Sequence, residues 1–219
     1  MNLIRDIFTY PFRGGGKAIL ILGTGLFVAG DLMAFAPGIG IIANFILFAY
    51  FCSVYFQIIE STATGGAEAP EFPDSADLIG DLFVPMLRVV AVIVACYAPA
   101  LIYLLLAAEP GTGVFLAWLG LGVVYFPMAM LAVGVLGYLG AMSPHIVFPA
   151  IFRSGGIYWL AVFLLAMLYL GQLFVLNILG GLLIVESLVA SLLAMYLLMT
   201  NGRTLGIIYR ERREAMGWI

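Results

Sequence analysis

Charge is what this sequence has least of. Asp, Glu, Lys and Arg make up 10% of its 219 residues, against about 25% in a typical soluble domain. So few charges cannot cover a water-exposed surface, which excludes a soluble enzyme, a disordered chain and a nucleic-acid binder. There is one histidine and there are two cysteines, too few for a metal centre built from those residues. His145 has no carboxylate or cysteine neighbour in sequence and reads as an interfacial polar residue. Cys52 and Cys96 lie in apolar runs without CxxC spacing and read as small hydrophobes rather than a disulfide framework. Walker, HExxH, GxSxG and intramembrane GxGD patterns are also missing, so neither a cofactor nor an enzymatic role is expected.

What fills the sequence is apolar: 64% of residues are hydrophobic. A helix needs about 20 mostly apolar residues to cross the hydrocarbon core, and six such runs are predicted, over residues 17–36, 40–59, 82–108, 114–139, 158–176 and 182–200. The first is longer than a signal-peptide core and leads directly into a second span, so it reads as retained. Three connections are short and rich in helix breakers: Ala36-Pro37-Gly38, the stretch from Glu109 to Gly113, and Leu179-Gly180-Gly181. They predict three antiparallel hairpins in an all-α bundle, one transmembrane domain over residues 1–219.

The nine basic residues fix an orientation. Arg5, Arg13 and Lys17 precede the first span, Arg88 opens the third, Arg153 lies between the fourth and fifth, and Arg203, Arg210, Arg212 and Arg213 follow the sixth. None lies in the three short turns. The positive-inside rule makes that face cytoplasmic, with both termini inside a cell (inner) membrane. Arg88 sits about 9 Å into a span beginning at Leu82. It either snorkels or follows an interfacial lead-in, with Pro85 opening the true span.

Four segments flank the spans on this face. Residues 1–16 include a short amphipathic helix with Leu3, Ile4, Ile7 and Phe8 on one side, suited to lying on the inner leaflet. A second short helix is predicted from Ser143-Pro144 to Arg153. Residues 201–219 read as a basic helical extension of the last span, with an Arg210–Glu214 pair and with Tyr209 and Trp218 as headgroup-level anchors. Arg203, Arg210, Arg212, Arg213 and Trp218 are therefore candidate partner or lipid contacts. The loop 61–81 is acidic, with Glu68, Glu71, Asp74, Asp77 and Asp81. It reads as a solvated connector, a docking segment for a basic partner, or a strap folding back on Arg88 or the C-terminal arginines.

Polar residues at membrane depth are where function is sought. Asp31, Glu186, Asn177 and Gln172 form the candidate intramembrane site, toward the outer side. No basic residue is available there to neutralise the two carboxylates, so burial would favour protonation or hydrogen bonds to Asn177, Gln172 or tyrosines. Headgroup-level carboxylates reaching water are the alternative. Gly23, Gly25, Gly30, Gly120, Gly122, Gly134, Gly137 and Gly140 are read as close helix approaches. Pro99 and Pro127 are read as kinks. Phe12-Arg13-Gly14-Gly15-Gly16 and Phe152-Arg153-Ser154-Gly155-Gly156 are a weak internal echo.

Several short motifs occur together: Tyr10-Pro11-Phe12-Arg13, Pro70-Glu71-Phe72, Tyr125-Phe126-Pro127-Met128, Ser143-Pro144 and Gly202-Arg203-Thr204-Leu205-Gly206. On these the chain resembles a group of uncharacterised prokaryotic multi-pass membrane proteins, a domain of unknown function distantly similar to Yip-type proteins. The resemblance implies a polytopic helical bundle and carries no functional residue with it. Two functions fit the sequence. One is a non-enzymatic accessory or scaffold subunit of a larger membrane complex, touching lipids and other membrane subunits. The other is a small transporter or lipid- or ion-handling protein using the intramembrane carboxylates.

Overall fold

The computed structural model describes residues 3–33, 36, 38–70, 78–107, 109, 111–180 and 183–218. Regular structure among them is entirely helical: α1 (Leu3–Thr9), α2 (Gly16–Met33), α3 (Ile39–Ala63), α4 (Val84–Leu106), α5 (Thr112–Leu136), α6 (Pro144–Ser154), α7 (Gly156–Leu179) and α8 (Leu183–Met216). A 3-10 turn, Tyr10–Phe12, follows α1, a π-helical turn, Leu78–Phe83, leads into α4, and a 3-10 turn, Leu139–Met142, precedes α6. Six helices are long and apolar enough to cross a bilayer: α2, α3, α4 with its lead-in, α5, α7 and α8. The protein is a multi-pass, all-α membrane bundle. Its spans fall within a few residues of the predicted runs.

The predicted hairpins form, α2 packing on α3, α4 on α5 and α7 on α8. The most extensive pairing, however, is between α3 and α8, which are far apart in sequence. These two run parallel: Gly202 sits over Ile58 and Gly206 over Thr62, four residues further along each helix. A Cβ on Gly206 would lie 2.8 Å from the backbone oxygen of Ile59, so only glycine allows the crossing. On the other flank of α8, Gly23 of α2 meets the sulfur of Met195. Gly30, Gly122 and Gly134 also admit neighbours closely. Gly25 and Gly120 have nothing within 4 Å, and Gly137 is instead the left-handed C-cap of α5 at φ 79°. Those three do not serve close helix approach.

Arg88 does not stand free: its Nη2 donates to the carbonyl of Gly137 at 2.6 Å. The cation thereby closes the C-terminus of α5, where its charge also opposes the helix dipole. Pro85 lies in the first turn of α4 behind the π-helical turn. Pro127 lies inside α5, and the buried Tyr158 hydroxyl donates to the nearby Val124 carbonyl.

α8 is 34 residues long, about 51 Å at 1.5 Å per residue. A hydrocarbon core of about 30 Å leaves its arginine-rich end projecting beyond the span. That end finishes in a Schellman motif. Gly217 adopts φ 74°, its N–H donates to Glu214, and the Trp218 N–H donates to Arg213. The turn folds Trp218 back onto Tyr209, with ring centroids 6.4 Å apart. Trp218 is only 8% exposed, so it is an internal packing residue rather than a headgroup anchor. The echo at Arg13 and Arg153 has a structural counterpart: Arg13 follows the 3-10 turn after α1 and Arg153 lies in the last turn of α6, both short helices packed on α8, and each precedes a positive-φ glycine, Gly14 or Gly155, at the entry to a span.

Candidate functional site

α7 packs closely only on α6 and α8, and the space between it and the rest of the bundle remains open. There lies a cavity of about 510 Å³, within the usual range for small-molecule sites. Asp31 from the end of α2 and Asn44 from α3 line its outer part. Asn201 of α8 and Tyr55 of α3 line its inner part, and Gln172 and Tyr169 line the α7 wall. Along α8 the distance from Ser187, which contacts Asp31, to Asn201 is 14 residues, about 21 Å. The cavity therefore follows much of the membrane's depth.

Its polar groups are held in place. Ser187 Oγ donates to Asp31 Oδ2 at 2.7 Å, joining α8 to α2. Asn44 Nδ2 donates to the carbonyls of Gly30 at 3.1 Å and Gly40 at 2.9 Å, so the α2–α3 hairpin carries its own clasp. Tyr55 donates to Asn201 Oδ1 at 3.0 Å. Between these ends the lining is apolar, aliphatic and aromatic together, and includes the Phe27–Phe51 pair stacked at 4.0 Å.

The structure thus brings together two of the four predicted intramembrane residues. Asp31 and Gln172 line the cavity. Asn177 is exposed and Glu186 half-buried, and neither lines it. Asp31 is exposed rather than buried, and it accepts its hydrogen bond from Ser187, not from the Asn177, Gln172 or tyrosine partners expected on burial. Tyr55, Asn44 and Asn201 were missed because neutral polar residues scattered over three helices share no spacing. Cys52 also lines this cavity, while Cys96 lines a smaller one of about 230 Å³.

A second polar assembly lies at the arginine-rich end of the bundle. Arg203 is 2% exposed and Asp6 3%. Arg203 donates through Nη2 to Asp6 Oδ2 at 2.8 Å, and through Nη1 to Thr62 Oγ1 at 3.3 Å and the Gly66 carbonyl at 2.5 Å. Arg13 also pairs with Asp6, and the Tyr10 ring lies 4.8 Å from the Arg203 guanidinium. One buried arginine therefore ties the N-terminal segment and the start of the 61–81 loop to α8. Arg203 is not a partner or lipid contact, and α1 turns one of its two charges inward: Asp6 is buried with Ile7, while Arg5 stays exposed. Of the predicted tail contacts, Arg210 and Arg213 are exposed and Arg212 half-buried. Arg210 pairs with Glu211 at 3.4 Å rather than with Glu214. Glu71, Asp74 and Asp77 of the acidic loop lie outside the described residues.

Burial opposes ionisation of Asp6, but the Arg203 and Arg13 guanidiniums outweigh it and hold its carboxyl below the ordinary 3.8. A lowered pKa contributes stability that is complete above the unfolded-state value and is lost as pH falls through the folded one. Docking of α1 is accordingly expected to stay constant from about pH 8 to about pH 5 and to loosen only below 3.8. Burial pushes the Tyr10 phenol up to about 12, so docking also weakens between pH 10 and about 12, where only the unfolded phenol ionises. Hydrogen exchange over residues 3–12 measures both limits.

His145 is exposed, its Nε2 3.4 Å from Ser143 Oγ. Among the described residues no group of His, Cys, Asp and Glu is placed to hold a metal ion. No family model, curated protein or solved structure matches the chain.

Proposed function

We propose that this protein binds a small amphipathic molecule within the bilayer, as a lipid- or ion-handling membrane protein without enzymatic activity. The observation that carries the reading is the cavity of about 510 Å³, polar at both ends and apolar between them, with aromatic rings among aliphatic side chains. Polar side chains are costly at this depth, and a ligand with matching polarity offsets that cost. Basic residues confined to one end support an orientation with both termini in the cytoplasm of a cell with an inner membrane. Filling the cavity tests the proposal. Ala194 lines it, and Ala194→Trp is expected to reduce the small molecule retained through purification by about tenfold. Leu170→Trp, on the exposed face of α7, is expected to retain it. Mass analysis of solvent extracts measures both, and equal retention would contradict the proposal.

A second reading, an accessory subunit of a larger membrane complex, is favoured by α7. Only 6% of its apolar 18-residue stretch is buried. Phe163, Leu170, Leu173, Phe174 and Ile178 stand exposed along it, a surface that another membrane helix could cover as well as lipid.

A further inference from the structure

We infer that the cavity takes a lipophilic organic cation, its charge beside Asp31 and its apolar body among the rings below. The inference rests on the reading of the cavity as a binding site and adds the class of ligand. Among the described residues Asp31 is the only carboxylate in the lining, and no Lys, Arg or His lines the cavity with it. Ser187 engages Oδ2, while Oδ1 accepts no hydrogen bond among the described residues. Both amide hydrogens of Asn44 are engaged by the Gly30 and Gly40 carbonyls, so what Asn44 has left to offer a ligand is its amide oxygen. The outer part of the cavity is therefore rich in acceptors and poor in donors. Its surroundings have the same sign: the charged residues at the outer ends of the spans are Asp31, Glu109 and Glu186, all acidic. Below this end, Phe27, Phe48, Phe51, Tyr55, Phe126 and Tyr169 supply aromatic rings, whose faces attract a desolvated cation and accommodate a flat or bulky apolar body. An anionic lipid headgroup would meet an unneutralised carboxylate and no donor to replace its hydration.

The test compares two ions of the same shape and opposite charge. Tetraphenylphosphonium and tetraphenylborate are titrated onto the wild-type protein in neutral-lipid nanodiscs, with protein-free nanodiscs subtracted. Saturable binding of the phosphonium, with the borate at least about tenfold weaker, is the expected result. Asp31→Asn keeps the side-chain shape and is expected to weaken phosphonium binding by about tenfold without changing protein yield or melting temperature. Equal binding of the two ions overturns the choice of a cation. So does binding of neither ion by a protein that still retains a small molecule displaced by Ala194→Trp, and in that case the binding-site reading stands. Binding of neither ion, with nothing retained through purification, overturns both.

Discussion

Arg203→Ala is expected to release the N-terminal segment and lower stability by about 3–5 kcal/mol, the range for removing one partner of a buried ion pair. Four donor contacts disappear together, to Asp6 through two nitrogens, to Thr62 and to the Gly66 carbonyl. Asp6 remains buried with Arg13 alone. The protein is expected to reach the membrane, melt at lower temperature and become sensitive to proteolysis between residues 3 and 15. If the loss arises from an unpaired charge rather than from missing volume, adding Asp6→Asn to Arg203→Met restores part of it. The double variant is then less damaging than the sum of the two single ones. Thermal unfolding of all four proteins in the same detergent checks this, and strict additivity would contradict the coupling.

The second large effect is expected at the α3–α8 crossing. Gly206→Leu forces the two backbones apart where a first side-chain carbon already lies 2.8 Å from the Ile59 oxygen. A backbone oxygen inside a helix cannot yield as a flexible side chain does. The expected cost is about 3 kcal/mol, at the upper end for overpacking. Gly25→Ala is the matched control. Nothing lies within 4 Å of that position, and alanine is the better helix former, so stability is expected to stay level or rise by up to about 1 kcal/mol. The opposite signs at two glycines within apolar spans distinguish a crossing point from mere glycine content.

These two sites show where the sequence was legible and where it was not. Span number, hairpin pairing and the short helix after Ser143 follow from local signals: long apolar runs, Pro-Gly turns, and a proline at a first helical position. The structure has each of them within a few residues. The parallel α3–α8 contact joins segments about 140 residues apart, and no periodicity within either segment encodes it. Gly202 and Gly206 belong to the Gly202-Arg203-Thr204-Leu205-Gly206 motif, yet nothing local identifies the surface they meet. The same limit hid the buried ion pair. Arg203 belongs to a run of tail arginines that reads as a solvated face, and only a long-range contact with Asp6 separates it from Arg210 and Arg213. Asp31 and Gln172 were found because charge and amide groups are conspicuous at membrane depth. Tyr55, Asn44 and Asn201 were not, since the cavity they share exists only once α3 and α8 are in place. Trp218 was misplaced for a similar reason: a terminal tryptophan reads as a headgroup anchor until the turn at Gly217 folds it onto Tyr209.

The most direct test of the central claim is native mass spectrometry of the protein released from its own membrane without delipidation. The account predicts a monomer of this protein, or a homo-oligomer of it, carrying one low-mass molecule per chain that is absent from the Ala194→Trp variant. A stoichiometric assembly with other membrane subunits, with no small molecule bound in either protein, would contradict it and establish the chain as a structural subunit.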